Sequence, residues 1–114
     1  MNIEIIRQRI SRQELEQIAQ DGYGEMVKGV ADIKLKILAL GGELHSDAEA
    51  VLLQKGSYQA DLWGFNIYPQ KAKSDRIVYS SLINIRPAQG NKSIDLKDVN
   101  IQKQIREIVD SLIE

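Results

Sequence analysis

Met26–Asp47, MVKGVADIKLKILALGGELHSD, decides how this chain folds. Met26–Ile33 is rich in small and branched apolar residues, as a buried strand requires. Lys34–Leu40 alternates Leu35, Ile37 and Ala39 against Lys34, Lys36 and Leu38, the period-2 pattern of a second strand. A tight turn near Asp32–Lys34 joins them, so the two pair antiparallel. Gly41 and Gly42 end the second strand, where the backbone can take angles that other residues resist. Ser46-Asp47-Ala48-Glu49 then reads as a capping box, the serine oxygen accepting from first-turn amides while the glutamate reaches back. It opens a helix with Ala50, Val51 and Leu53 inward, closing at Gly56.

Elements on either side extend this pattern. Asn2–Arg7 (NIEIIR) is a short strand with Ile3 and Ile5 on one face. Ser11-Arg12-Gln13-Glu14 is another capping box, followed by the helical stripe Leu15, Ile18 and Ala19 and stopped by Gly22 and Gly24. Asp61–Tyr68 (DLWGFNIY) and Arg76–Arg86 (RIVYSSLINIR) are strand-like, with the turn-like Pro69–Asp75 between them. Pro87–Ser93 is a loop by composition. Ile101, Ile105, Ile108, Val109 and Leu112 repeat at helical spacing, capped by Asp98 or Asn100. The order is β-α-β-β-α-β-β-α. It predicts an α+β fold, one globular domain over residues 1–114, with a mostly antiparallel sheet and helices packed on one face.

Composition narrows the function classes. Six aromatic residues in 114 leave an aliphatic core of Ile, Leu and Val. A net charge of −1 argues against nucleic acid as a partner, because phosphate neutralisation needs a basic surplus. With no cysteine, thiolate catalysis, disulfides and cysteine-based zinc sites are excluded. The first residues carry no long apolar signal region, and no apolar run reaches the roughly 18 residues of a membrane span. A cytoplasmic location is the expectation, without membrane association.

Polar residues that could carry chemistry gather in three places. His45, the only histidine, has Glu43 and Asp47 two residues to either side, and on an extended segment the three share a face. They could act as an acid–base or hard-metal group. The competing account has Asp47 favouring the helix dipole and His45 bonding a neighbouring backbone. A single histidine does not suit zinc, no nucleotide fingerprint is present, and neither a metal nor a cofactor is expected. In DLWGFNIYP, Gly64 flanked by Asn66 and Tyr68 could floor a ligand site, or Trp63 and Phe65 are core and Gly64 accommodates a packed helix. In NIRPAQGNKS, Arg86 can fork-bind a carboxylate or phosphate, with Gln89, Asn91, Lys92 and Ser93 adding donors. The alternative has Arg86 paired with Glu43 or Asp47. A small-molecule or anion site joining His45, Asp47, Asp61, Arg86, Gln89 and Asn91 is the first functional expectation. It requires the His45 and Arg86 loops to meet at one end of the sheet. The other is an interaction module, a homodimer built on open sheet edges or an aliphatic face.

At GGELHSDAEAVLL, DLWGFNIYP and NIRPAQGNKS the chain resembles a family of small prokaryotic proteins described only as a domain of unknown function. The segments fall in the same order and span nearly the whole chain. The resemblance implies a stand-alone prokaryotic domain and carries over no catalytic residue, cofactor or substrate.

Overall fold

The computed structural model describes residues 1–114. Five strands form one sheet: β1 (Ile3–Ile6), β2 (Val27–Asp32), β3 (Ile37–Gly41), β4 (Leu62–Ile67) and β5 (Ile77–Val78). Their spatial order is β1-β3-β2-β4-β5, and every neighbouring pair is antiparallel. Val30 of β2 stands between Ala39 of β3 and Gly64 of β4. The expected α+β class and antiparallel sheet are therefore present. No helix is long and apolar enough to cross a membrane.

Helices α1 (Arg12–Gln20), α2 (His45–Gln54) and α3 (Val99–Leu112) cover both faces of the sheet, not one. The cause lies in the central strands, which are apolar on both sides and must be covered on both. Ala31, Leu38, Leu40, Trp63 and Phe65 pack with Leu15 and Ala19 of α1 and Ile105, Ile108 and Val109 of α3. Their strand neighbours Val30, Ile37, Ala39 and Leu62 pack on the other face with Ala48 and Leu52 of α2.

Local chemistry sets most of the ends. Ser11 and Glu14 form the expected capping box on α1, and the Asp98 carboxylate accepts from Asn100 and Ile101 N–H at the start of α3. At the other end of α3, buried Arg76 donates to the carbonyls of Ile113 and Glu114 and pairs with Asp110 at 3.2 Å. A cation there satisfies carbonyls that the last turn leaves open.

Three boundaries differ from the sequence expectation. The turn after β2 occupies residues 33–36, because the Asp32 carboxylate accepts from the N–H of both Lys34 and Leu35 and holds them out of the strand. Helix α2 begins at His45 after Leu44, without a Ser46 capping box. Its buried stripe is His45, Ala48 and Leu52, whereas Ala50 and Leu53 are exposed. The sheet, not the cap, chose the helical face. Arg76–Arg86 forms only the two-residue β5 and then a 3₁₀ turn at Leu82–Asn84. There the Ser81 hydroxyl accepts from Ile83 N–H, and the chain leaves the ladder.

Candidate functional site

The six residues expected to form one site divide into three buried structural anchors, His45, Arg86 and Asn91, and a more exposed remainder. His45 is buried at the start of α2, and its Nε2 lies 2.8 Å from the Phe65 carbonyl. A carbonyl only accepts, so Nε2 carries the proton and donates. Arg86 is buried one helical turn farther along the same seam. Its Nη2 pairs with Glu49 at 3.3 Å and donates to the Leu62 carbonyl. His45 and Glu49, four residues apart on α2, share a helix face. Together they tie α2 to β4 at two points, one directly and one through the guanidinium. Phe65 and Leu62 lie roughly 10 Å apart along the strand. The two loops thus reach the same helix–strand seam and are anchored there at separate points.

Arg86 has no donor left for a ligand. Nε donates to Ile83 O at 3.0 Å, and Nη1 to Gln59 O at 2.6 Å and Gln89 Oε1 at 3.4 Å. With the two bonds from Nη2, all five donors of the fork are used. The guanidinium also lies 4.6 Å from the Trp63 ring centroid. Burial lowers its pKa from the ordinary guanidinium value, and Glu49 opposes that shift. The expected partner, Glu43 or Asp47, is replaced by Glu49, which faces the seam while those two are exposed.

The rest of the Arg86–Asn91 loop is equally committed. The Asn91 amide donates to the carbonyls of Asn84, Ser93 and Asp95, and its oxygen accepts from Lys97 N–H. Gln89 donates to Ala60 O. Asn84, fully buried, accepts from Gly64 N–H at 2.8 Å and donates to Gly64 O at 3.0 Å, standing in for a neighbouring strand at the β4 edge. This explains Gly64: a Cβ there would meet Ser81 Cβ at 2.5 Å. The glycine admits the chain's own 3₁₀ turn. Asp47 is exposed and Asp61 half-buried, and no group of three acidic or histidine side chains comes together to hold a metal.

The ligand-sized cavity lies elsewhere. A cleft of about 460 Å³ opens between α1, β1 and the adjoining ends of β2 and β3. Small-molecule sites run from about 300 to 1,000 Å³, and this cleft falls in that range. Its apolar lining includes Ile3, Ile6, Ile10, Ile18, Met26 and Val27. Its polar lining comprises Asn2, Gln17, Tyr23, Lys28 and three carboxylates, Glu4, Glu14 and Asp21. None of those carboxylates pairs with a cation of the chain. Glu14 belongs to the α1 cap, and Asp21 accepts from Gln17 Nε2. Lys28 stands 5.3 Å from the Tyr23 ring, and the Tyr23 hydroxyl donates to Glu43 O at 2.7 Å.

Gly41 and Gly42 also line the cleft, at φ 106° and 87°. A Cβ on Gly41 would meet Asn2 O at 2.3 Å, so the glycine pair lets the N-terminal strand close over the chain. These glycines are the part of GGELHSD that reaches the cleft. The other lining residues come from positions 1–28 with no recognisable spacing, which is why sequence motifs did not single them out. The one available signal was a strand, Asn2–Arg7, with an isolated Glu4 among isoleucines.

His45 gives the fold a defined pH response. Burial lowers its pKa below the usual 6.5, the hydrogen bond to Phe65 opposes this, Lys28 lowers it further and the Asn66 side chain opposes. Between its folded and unfolded pKa values the unfolded chain therefore holds more protons than the folded one, so stability rises with pH across that interval. The contribution is present above about pH 6.5 and is lost as pH falls through that window. Urea titrations from pH 7 to pH 5 are expected to show a steeper loss for the native chain than for His45→Gln, whose amide can still donate to Phe65 O. Equal slopes would mean that the ring is not buried neutral.

A family model with the description "Protein of unknown function (DUF5674)" matches residues 4–112. No curated protein and no solved structure matches the chain.

Proposed function

The chain belongs to the DUF5674 family, and we propose that it is a binding domain whose site is the α1–β1 cleft and whose ligand joins an apolar body to a cationic group. The observation that carries this is the cleft itself: about 460 Å³, lined by isoleucines, Met26 and Val27, with Glu4, Glu14 and Asp21 lacking a cationic partner. An apolar body gains by leaving water, and a cation gains from three carboxylates that outnumber Lys28 and the terminal ammonium of Met1. The charge balance turns the expected anionic ligand into a cationic one. Arg86, on which an anion site depended, has spent its donors on the fold.

Alkylammonium ions of increasing chain length, with alkyl carboxylates of matched length as controls, test this in a thermal-shift titration. The ammonium series is expected to stabilise the protein, more with each methylene. Binding at ten times the dissociation constant adds about 1.4 kcal/mol, or a rise in Tm of roughly 6 °C. Glu4→Gln is expected to weaken that response without lowering the melting temperature of the free protein. Equal responses to the two series, or none to either, would remove the cationic-ligand proposal.

A further inference from the structure

Strand β1 is an edge strand with its outer side open. Every backbone hydrogen bond it makes goes to β3, and no loop or terminal bond reaches Ile3–Ile6. The opposite edge is only two residues long at β5, and the chain past it is covered. Beyond the short β5, Leu96 N–H donates to Tyr79 O, Ser81 N–H to Ile94 O, and Asn84 occupies β4 at Gly64. β1 therefore offers the longer unblocked row of alternating N–H and C=O groups in the sheet, the template on which an added strand forms.

The side chains beside that row are patterned. Ile3 and Ile5 pack toward the α2 face, whereas Ile6 is buried on the α1 face and Glu4 stands with it at the cleft. Side chains directly opposite each other on paired strands share a face and interact. A strand added beside β1 places alternate residues against Ile3 and Ile5, and the others against Glu4 and the acidic cleft. Apolar residues fit the first set and basic residues the second.

We propose that β1 and the cleft together bind an extended peptide of alternating basic and apolar residues by strand addition, with backbone pairing along Ile3–Ile6 and basic side chains directed to Glu4. The proposal rests on the cleft reading above and adds its ligand class. Main-chain bonds supply general affinity, and the alternating pockets supply selectivity. The charge pattern favours a separate basic peptide over a second copy of the chain. A symmetric β1–β1 pair centred on Ile5 sets Ile6, not a basic residue, opposite Glu4.

The test uses the full ¹⁵N-labelled chain and the probe acetyl-Lys-Val-Lys-Val-Lys-amide. Its comparison peptides are the block isomer acetyl-Lys-Lys-Lys-Val-Val-amide and two forms of the probe N-methylated on alternate amides. The expected result is movement of the Ile3–Ile6 amide signals, with affinity lowered about tenfold in the block isomer and in one methylated form only, the one whose methyl groups face β1. Glu4→Lys is expected to weaken the probe as well. Equal affinity for both methylated forms and the probe would overturn strand addition and leave the cleft as a plain cation site. Binding of alkylammonium ions without any peptide binding would do the same. Peptide binding at β1 with no alkylammonium response would instead count against the cleft reading alone. A dimer by light scattering that the probe does not dissociate, lost in Glu4→Lys, would assign the edge to a second copy and overturn the proposal.

Discussion

Replacing Arg86 with methionine is expected to destabilise the protein by about 3–5 kcal/mol, the range for removing one partner of a buried pair. The change leaves Glu49, its carboxylate largely shielded, without its cation. It also leaves the carbonyls of Leu62, Gln59 and Ile83 without their donor. Arg86→Lys is expected to recover less than half of the loss. An ammonium keeps the charge but cannot span carbonyls arranged around a planar fork. Adding Glu49→Leu to Arg86→Met is expected to restore part of the stability, because the orphaned charge goes too. Urea denaturation of the three variants measures this. A cost below about 1 kcal/mol for Arg86→Met would show that the guanidinium is not a structural clamp, and would reopen it as an anion site.

Asn84→Ala is expected to cost about 2–4 kcal/mol. Its amide satisfies both backbone groups of the buried Gly64, and each buried group left unpaired costs about 1–3 kcal/mol. The local signature is more diagnostic than the total. Hydrogen exchange at Gly64 N–H is expected to accelerate well beyond that of Val30 or Ala31 on the paired side of the sheet. Unchanged protection at Gly64 would show that another group covers the β4 edge. Asn84→Gln is expected to fail as a rescue, since the longer side chain cannot hold both bonds at the same separation.

Both variants lie in the segment that was hardest to interpret from sequence. Arg76–Arg86 has the composition of a strand, and Arg86 has the chemistry of an anion clamp. Composition cannot show that Ser81 and Asn84 divert the backbone, or that five acceptors, from α2, from residues 59–62 and from its own loop, converge on one guanidinium. Those acceptors are mostly carbonyls, which every residue carries and no motif marks. By contrast, the Ser11–Glu14 box and the Asp98 cap were legible because a cap is a local hydrogen bond between near neighbours. Ser46–Glu49 had the same letters and was not a cap. The sheet beneath α2 required His45, Ala48 and Leu52 to face inward, and packing of an apolar stripe outweighs a single capping bond.

The cleft shows the same division. Its lining comes from β1, α1 and the ends of β2 and β3, and these become neighbours only when β1 crosses to pair with β3. Glu4 looks like an ordinary surface charge in NIEIIR until the edge position of β1 is known. The sequence by itself determined the antiparallel α+β class, the helix caps, the glycine break after β3 and the absence of thiol chemistry. Each of these depends on residue type and near-neighbour spacing. Tertiary structure alone decided that helices lie on both faces, that Arg86 is spent on the fold, and that the ligand-sized space lies beside an open strand. Those outcomes follow from which strand neighbours which, and from long-range side-chain bonds to backbone groups common to all residues.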